Sequence, residues 1–175
     1  MGNVKEFGLS FQNLTAREFI ATARRTEELG FGTFWVPEDY VHRGAFSVAS
    51  AIAACTTSLR IGIGVLNPYT RHPVLTAMEL GALEEISDGR AVLGMGASIA
   101  PWIEGQLGIP YVKPTTSIRE GVEIIRALFR GEEFTYTGQV FQTTQARLNF
   151  VPPRIDVPIH LGVLGPKNLT MAGQI

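Results

Sequence analysis

The sequence has a single cysteine, Cys55, among 175 residues. One thiol closes no internal disulfide, which excludes a disulfide-stapled secreted scaffold. Charge is scarce as well: 18% of residues are charged and the net charge is −1. So balanced a chain has no electrostatic drive toward nucleic acid or an anionic lipid surface. No apolar run approaches the ~18 residues that suggest a membrane span. The opening MGNVKEFGLS has no signal-peptide core, and Glu6 stands where a myristoylation signal carries Ser or Thr. A cytoplasmic protein without membrane or nucleic-acid partners is expected. His42, His72 and His160 have no metal-ligand spacing, so no metal site is expected. Neither G-x-S-x-G nor a Walker loop occurs, which argues against an α/β-hydrolase or a P-loop enzyme.

What is present is apolar and periodic. Hydrophobic residues make up 45% of the chain, enough for a packed core and too many for disorder. Residues 4–11 form a short apolar run broken by Gly8, read as a buried strand. Thr15 and Glu18 have capping-box spacing, and Ala16, Phe19, Ile20 and Ala23 then follow one helical face up to a stop at Gly30. A strand at 33–36, a small-residue helix at 45–54 and a strand at 60–66 follow. Pro73 opens a helix that Asp88-Gly89 ends, and 91–95 is a continuous apolar strand. The strand starts at 4, 33, 60 and 91 lie 29, 27 and 31 residues apart. That is the period of βαβ units, whose strands are parallel.

Beyond Gly96 the rhythm breaks. Residues 97–114 have no clear period. Ser117 and Glu120 repeat the capping-box spacing ahead of a helix carrying Ile118, Val122, Ile125 and Phe129, with Gly131 as its stop. Residues 134–141 alternate around Gly138 as a β-hairpin. Residues 158–164 read as a fifth parallel strand, and Pro166 opens a last helix running to 175. The reading is one domain with an insertion at about 97–157. Five βα units fit an open doubly wound sheet, or the first part of an eight-fold barrel of roughly 250 residues.

Loops after parallel strands are where α/β enzymes place their sites, and four such places stand out. Gly62-Ile-Gly64 and Gly94-Met-Gly96 sit at strand ends. Neither completes G-x-G-x-x-G, because Asn67 and Ile99 hold the sixth positions. Glycines there let a flat ring or a phosphate approach the backbone, or they fill a narrow barrel interior. Asn67-Pro-Tyr-Thr-Arg-His72-Pro73 is a polar loop, in which His72 reads first as a structural residue. Glu38-Asp39-Tyr40 puts adjacent carboxylates at a strand end, as a ligand site or as a solvated turn. Gly165-Pro-Lys-Asn168 could hold a phosphate at a helix start, but an ordinary Pro-led start is the simpler reading. Cys55 reads as a packed thiol.

The stretch Gly64-Val-Leu-Asn-Pro-Tyr-Thr-Arg-His-Pro73, with Ile86-Ser-Asp-Gly-Arg-Ala-Val-Leu-Gly-Met-Gly96, resembles the luciferase-like superfamily of flavin and deazaflavin oxidoreductases. Within it the chain is most similar to the coenzyme F420-dependent methylenetetrahydromethanopterin reductases. The Tyr136-Thr-Gly-Gln-Val-Phe141 hairpin and the Pro158-Ile-His-Leu-Gly-Val-Leu-Gly-Pro166 strand extend the likeness over nearly the whole chain.

The resemblance implies an α/β fold, the TIM (β/α)8 barrel of the bacterial luciferase-like type, of which this chain supplies about the first five βα units. It is then the N-terminal part of such a barrel or a short form of it, and a truncated, non-catalytic fragment is the non-enzymatic alternative. The resemblance implies hydride transfer between reduced coenzyme F420 and a small-molecule substrate, with an FMN-dependent monooxygenase as the alternative. A bulge at the end of the third strand, often with a non-prolyl cis peptide, supports the ring and maps onto Gly64-Val65, followed by Asn67. Gly96, Ala97 and Ser98 would approach the ring or its side chain, and Gly162 and Gly165 the phosphate. Glu38 joins these as a cofactor contact, while Ser10 and Asp39 would face the reacting end. Two departures stand out. Ser10 replaces the reductases' proton-transferring glutamate, and Glu38-Asp39 replaces their Asp-His pair, which puts the methanopterin substrate in doubt. Dimers are common in the family, and the 45–54 helix is a candidate contact between two copies.

Overall fold

The computed structural model describes residues 7–175. The expected first strand is described from Phe7 onward and is β1 (Gly8–Ser10); positions 4–6 of that expectation lie outside the described residues. The chain continues as α1 (Ala16–Glu28), β2 (Thr33–Val36), α2 (Ala45–Cys55), β3 (Arg60–Leu66), α3 (Pro73–Ser87) and β4 (Ala91–Met95). A π-helical turn (Pro101–Gln106) and α4 (Pro114–Phe129) follow, then β5 (Phe134–Thr137), β6 (Gln142–Ala146), β7 (Ile159–Leu161) and α5 (Pro166–Ala172). No described helix is long and apolar enough to cross a membrane.

Local chemistry starts the helices. Thr15 caps α1, its hydroxyl accepting from the Glu18 N–H while Glu18 accepts from the Thr15 N–H. This satisfies two of the donors that a helix start leaves open. Pro73 opens α3 behind His72, whose Nδ1 accepts from the Val74 N–H at 3.2 Å. The second expected capping box is corrected. Helix α4 begins earlier, at Pro114, so Ser117 and Glu120 lie inside it. The Ser117 hydroxyl bonds back to the Val112 and Lys113 carbonyls. The Glu120 carboxylate accepts from the N–H groups of Gln139, Val140 and Phe141 at 2.7, 3.0 and 3.0 Å, holding the hairpin turn. Burial pushes its pKa up, but the three donors outweigh that and leave it lowered.

The five parallel strands lie in the order β1-β2-β3-β4-β7. A sequential order has no reversal point, which separates a barrel-like sheet from a doubly wound one. β5 and β6 form a separate antiparallel hairpin. Its second strand begins after Phe141, because the turn closes from the Gly138 N–H to the Phe141 carbonyl. The fifth parallel strand is shorter than expected. It pairs over three residues, the ladder ends as Gly162 bonds the Met95 carbonyl, and Gly165 turns away at φ 83°.

The sheet's two faces differ. Phe34, Val36, Ile61, Ile63, Leu93 and Met95 are buried in one core with the helices. The alternate positions, Gly8, Trp35, Gly62, Gly64, Gly94, His160 and Gly162, lie on the other face, since side chains alternate along a strand. At the N-terminal strand ends, polar groups are locked. The Arg90 guanidinium donates to the Ala53, Thr56, Leu59 and Ser87 carbonyls and the Thr56 hydroxyl. Arg154 forks onto the fully buried Glu84 at 2.9 and 2.7 Å, tying the insertion's return to α3. Cys55 corrects the expectation of a packed thiol. It ends α2 on the solvent side and is exposed.

Candidate functional site

The glycine-lined face carries two flat side chains. The Trp35 indole lies across Gly8, Gly62 and Gly64. A Cβ on Gly62 would sit 2.4 Å from the indole, so only glycine admits it. The His160 ring meets Trp35 edge-on at 5.6 Å. Nearer the C-terminal strand ends, β3 bulges between Ile63 and Leu66, and the Gly64-Val65 peptide is cis. The Val65 side chain then crosses to the next two strands. A Cβ on Gly94, Gly96 or Gly162 would meet it at 3.0, 3.1 and 3.3 Å. Val65 is thus an apolar step on a floor of three glycines, with 41% of its surface exposed.

The loops beyond these ends bring Asn67, Tyr40 and Ser98 into one network. Asn67 is buried. Its Oδ1 accepts from the N–H groups of Tyr69 and Thr70, and its Nδ2 donates to the Thr70 and Tyr40 hydroxyl oxygens. Tyr40 donates to Ser98 Oγ at 2.7 Å, and Tyr111 donates to the Ser98 carbonyl at 3.0 Å. Burial first, then the charges of Glu38 and Asp39, hold the Tyr40 phenol above its ordinary pKa against the Ser98 hydrogen bond. Ser98 adopts φ 61°, a left-handed conformation in a turn that starts at Gly96 and Ala97.

The paired carboxylates have separate surroundings. Glu38 Oε2 accepts from the Ala45 N–H at 2.7 Å, capping α2, and its Oε1 meets Arg71 at 3.2 Å. Arg71 also pairs with Glu79 and lies over the Phe46 ring. Asp39 has no ion pair among the described residues. It lines a cleft of about 300 Å³ with Glu38, Tyr40, His42, Thr70 and Arg71. Ser10 is exposed at the end of β1, in register with Trp35, and does not line that cleft. Gly162 lies on the Val65 floor, whereas Gly165 lies past the end of β7 at the start of a seven-residue helix. Asn168 there accepts from Thr115 and donates to the Leu164 carbonyl. His72 is a helix cap packed edge-on against Phe141, and burial lowers its pKa.

Sequence reasoning left Trp35 out and assigned Tyr40 no role. A signal for Trp35 was present: glycines on both flanking strands, Gly8 on β1 and Gly62 and Gly64 on β3, leave room for one large ring. For Tyr40 no such signal exists, since its partners lie 27 and 58 residues away.

Comparison with known proteins bears on this arrangement. The chain is 38% identical to the 5,10-methylenetetrahydromethanopterin reductase of Archaeoglobus fulgidus over 171 residues, 97% of this chain and 51% of that protein. The coenzyme F420-dependent tetrahydromethanopterin reductase of Methanopyrus kandleri superimposes with a TM-score of 0.91 at 29% identity, over 97% of this chain and 53% of that one. The oxygenating constituent of 3,6-diketocamphane monooxygenase from Pseudomonas putida, solved with FMN, superimposes with a TM-score of 0.76 at 21% identity, over 89% and 51%, a likeness of fold alone. The chain spans about half the length of these relatives. The model of the luciferase-like monooxygenase family matches residues 5–175, and the chain belongs to that family.

Proposed function

We propose that this chain contributes the coenzyme site of a deazaflavin-dependent oxidoreductase, which passes a hydride between reduced coenzyme F420 and a small organic substrate. The observation that carries this reading is the Val65 step. Three glycines on two neighbouring strands leave a flat apolar surface against which a ring can lie. A bound reduced deazaflavin supplies the hydride. Val65 would back the ring, Gly96 and Gly162 would keep the floor beneath Val65 low, and the 97–98 turn would border it. Gly165 and the start of α5 would serve the phosphate. Hydride transfer asks the protein mainly for positioning, which a rigid strand end provides.

At the reacting end the two candidate groups are unequal. A serine hydroxyl is too weak an acid to replace a carboxylic acid, so Ser10 would orient substrate rather than protonate it. Glu38 is engaged by Arg71 and the α2 N–H. Asp39 is the carboxylate left for proton transfer. Ser10 stands where the resemblance to methanopterin reductases implies a glutamate, which argues against a methanopterin substrate.

The test is a spectroscopic titration of the purified chain with coenzyme F420 and, separately, FMN. Preference for the deazaflavin supports the reading. Preference for FMN, with oxygen uptake when reduced FMN is supplied, replaces it with a monooxygenase. Binding of neither contradicts the claim that these five strands form the site.

A further inference from the structure

Asn67 sets the polarity of a hydrogen-bond chain that ends on Ser98. Its Oδ1 accepts from two backbone N–H groups at 3.0 and 2.9 Å. Backbone N–H groups only donate, so the other end of the amide is the nitrogen. That Nδ2 gives one hydrogen to Thr70 at 2.9 Å and the other to the Tyr40 oxygen at 2.7 Å. The Tyr40 oxygen is therefore an acceptor toward Asn67, and its one proton goes to Ser98 Oγ at 2.7 Å. Ser98 Oγ accepts, so its own proton must point elsewhere. Among the described residues Tyr40 is the only partner of that hydroxyl. Asn67 is 3% exposed, which shields the start of the chain from competing water. Tyr111 holds the Ser98 carbonyl at 3.0 Å, and Trp102 braces the Tyr40 ring edge-on at 5.4 Å.

We propose that Tyr40 is a positioning residue: aimed by Asn67, it makes the Ser98 hydroxyl a hydrogen-bond donor to an acceptor oxygen of the bound coenzyme. This rests on the coenzyme reading above. A free serine hydroxyl serves as donor or acceptor alike, whereas one already accepting from Tyr40 favours a ring carbonyl or a phosphate oxygen. Tyr40 needs no contact with the coenzyme to matter.

The experiment measures coenzyme F420 affinity for the wild type, Ser98→Ala, Tyr40→Phe and the double variant. It adds the phosphate-free deazariboflavin as a second ligand, and the ultraviolet resonance Raman tyrosine doublet of the ligand-free proteins as a second readout. Each single variant is expected to lose about ten-fold in affinity, and the double variant little more than Ser98→Ala, because one hydrogen bond is at stake. The Tyr40 Raman signal, taken as wild type minus Tyr40→Phe, is expected to change in Ser98→Ala. An equal loss for deazariboflavin puts the acceptor on the ring and ribityl part; a loss confined to coenzyme F420 puts it on the phosphate-bearing tail. Undiminished affinity in Ser98→Ala or Tyr40→Phe, additive losses, or an unaltered Raman signal would overturn the proposal. A wild type that binds neither coenzyme F420 nor FMN overturns the coenzyme reading itself and removes the ligand from Ser98, while the Raman signal still decides whether Tyr40 directs that hydroxyl.

Discussion

The two faces of the parallel sheet are built from opposite materials. Toward the helices, Phe34, Ile61, Ile63, Leu93 and Met95 are all but fully buried. Toward the other side, the sheet presents Gly8, Gly62, Gly64, Gly94, Gly96 and Gly162, overlaid by Trp35 and Val65. Burying large aliphatic side chains drives folding. Glycines bury little and cost backbone entropy, so six of them on one face favour access over stability. The helix-covered face accounts for the fold, and the glycine face accounts for the site.

Substitutions on the two faces should therefore separate stability from binding. The largest losses are expected in the helix layer, first where it holds its buried charge. Arg154→Ala removes the counter-charge of the Glu84 carboxylate at 0% exposure and leaves it the Ala91 N–H alone, and chemical denaturation should show a loss of about 3 kcal/mol. Leu93→Ala, which opens a cavity in the same layer, should cost about 3 kcal/mol by the same measurement. On the glycine face, Gly94 in β4 and Gly96 just past its end should diverge. A Cβ on Gly94 would lie 2.6 Å from the Ile63 carbonyl oxygen, whereas one on Gly96 meets its closest neighbours at 3.1 Å. Gly94→Ala must move backbone and should cost about 2 kcal/mol, and Gly96→Ala less than half of that in thermal melts.

A pH dependence is expected on the helix side. Glu27 accepts from the Thr57, Ser58 and Leu59 N–H groups and the Ser58 hydroxyl. Burial opposes its charge, but these donors bring its pKa down to about 2 from 4.5. The folded value is the lower one, so this clamp stabilises fully above pH 4.5 and is lost as pH falls from 4.5 toward 2. Glu27→Gln should cost about 1 kcal/mol at pH 7. The gap to wild type in urea midpoints should narrow near pH 3.

Features carried by near neighbours or by repetition were legible in the sequence. The Thr15–Glu18 box needs only a spacing of three. Residues 61–66 and 91–95 show as unbroken apolar runs, and the βα period spans the first four units. The Ser117–Glu120 pair has the same spacing as the first box but not its role, because Glu120 is claimed by a hairpin about twenty residues downstream. Strand order needed either the family likeness or the structure, since both candidate sheets share one period. At the site, Val65 and its glycines were reached through resemblance. Glu38 was grouped with Asp39 because they are adjacent, yet Arg71 and the α2 start separate their roles. The Asn67–Tyr40–Ser98 chain joins three loops and leaves no local pattern.

The most direct test of the glycine face as a coenzyme seat is Gly96→Val, titrated with coenzyme F420 beside a thermal melt. The added side chain would displace Val65 from its floor without entering the helix-covered core. Loss of detectable binding is the result expected, in a protein that still melts cooperatively but at a lowered temperature, because the new side chain also meets the Gly162 carbonyl oxygen. Wild-type affinity in a folded Gly96→Val protein would contradict the account, and the ring would have to be sought elsewhere.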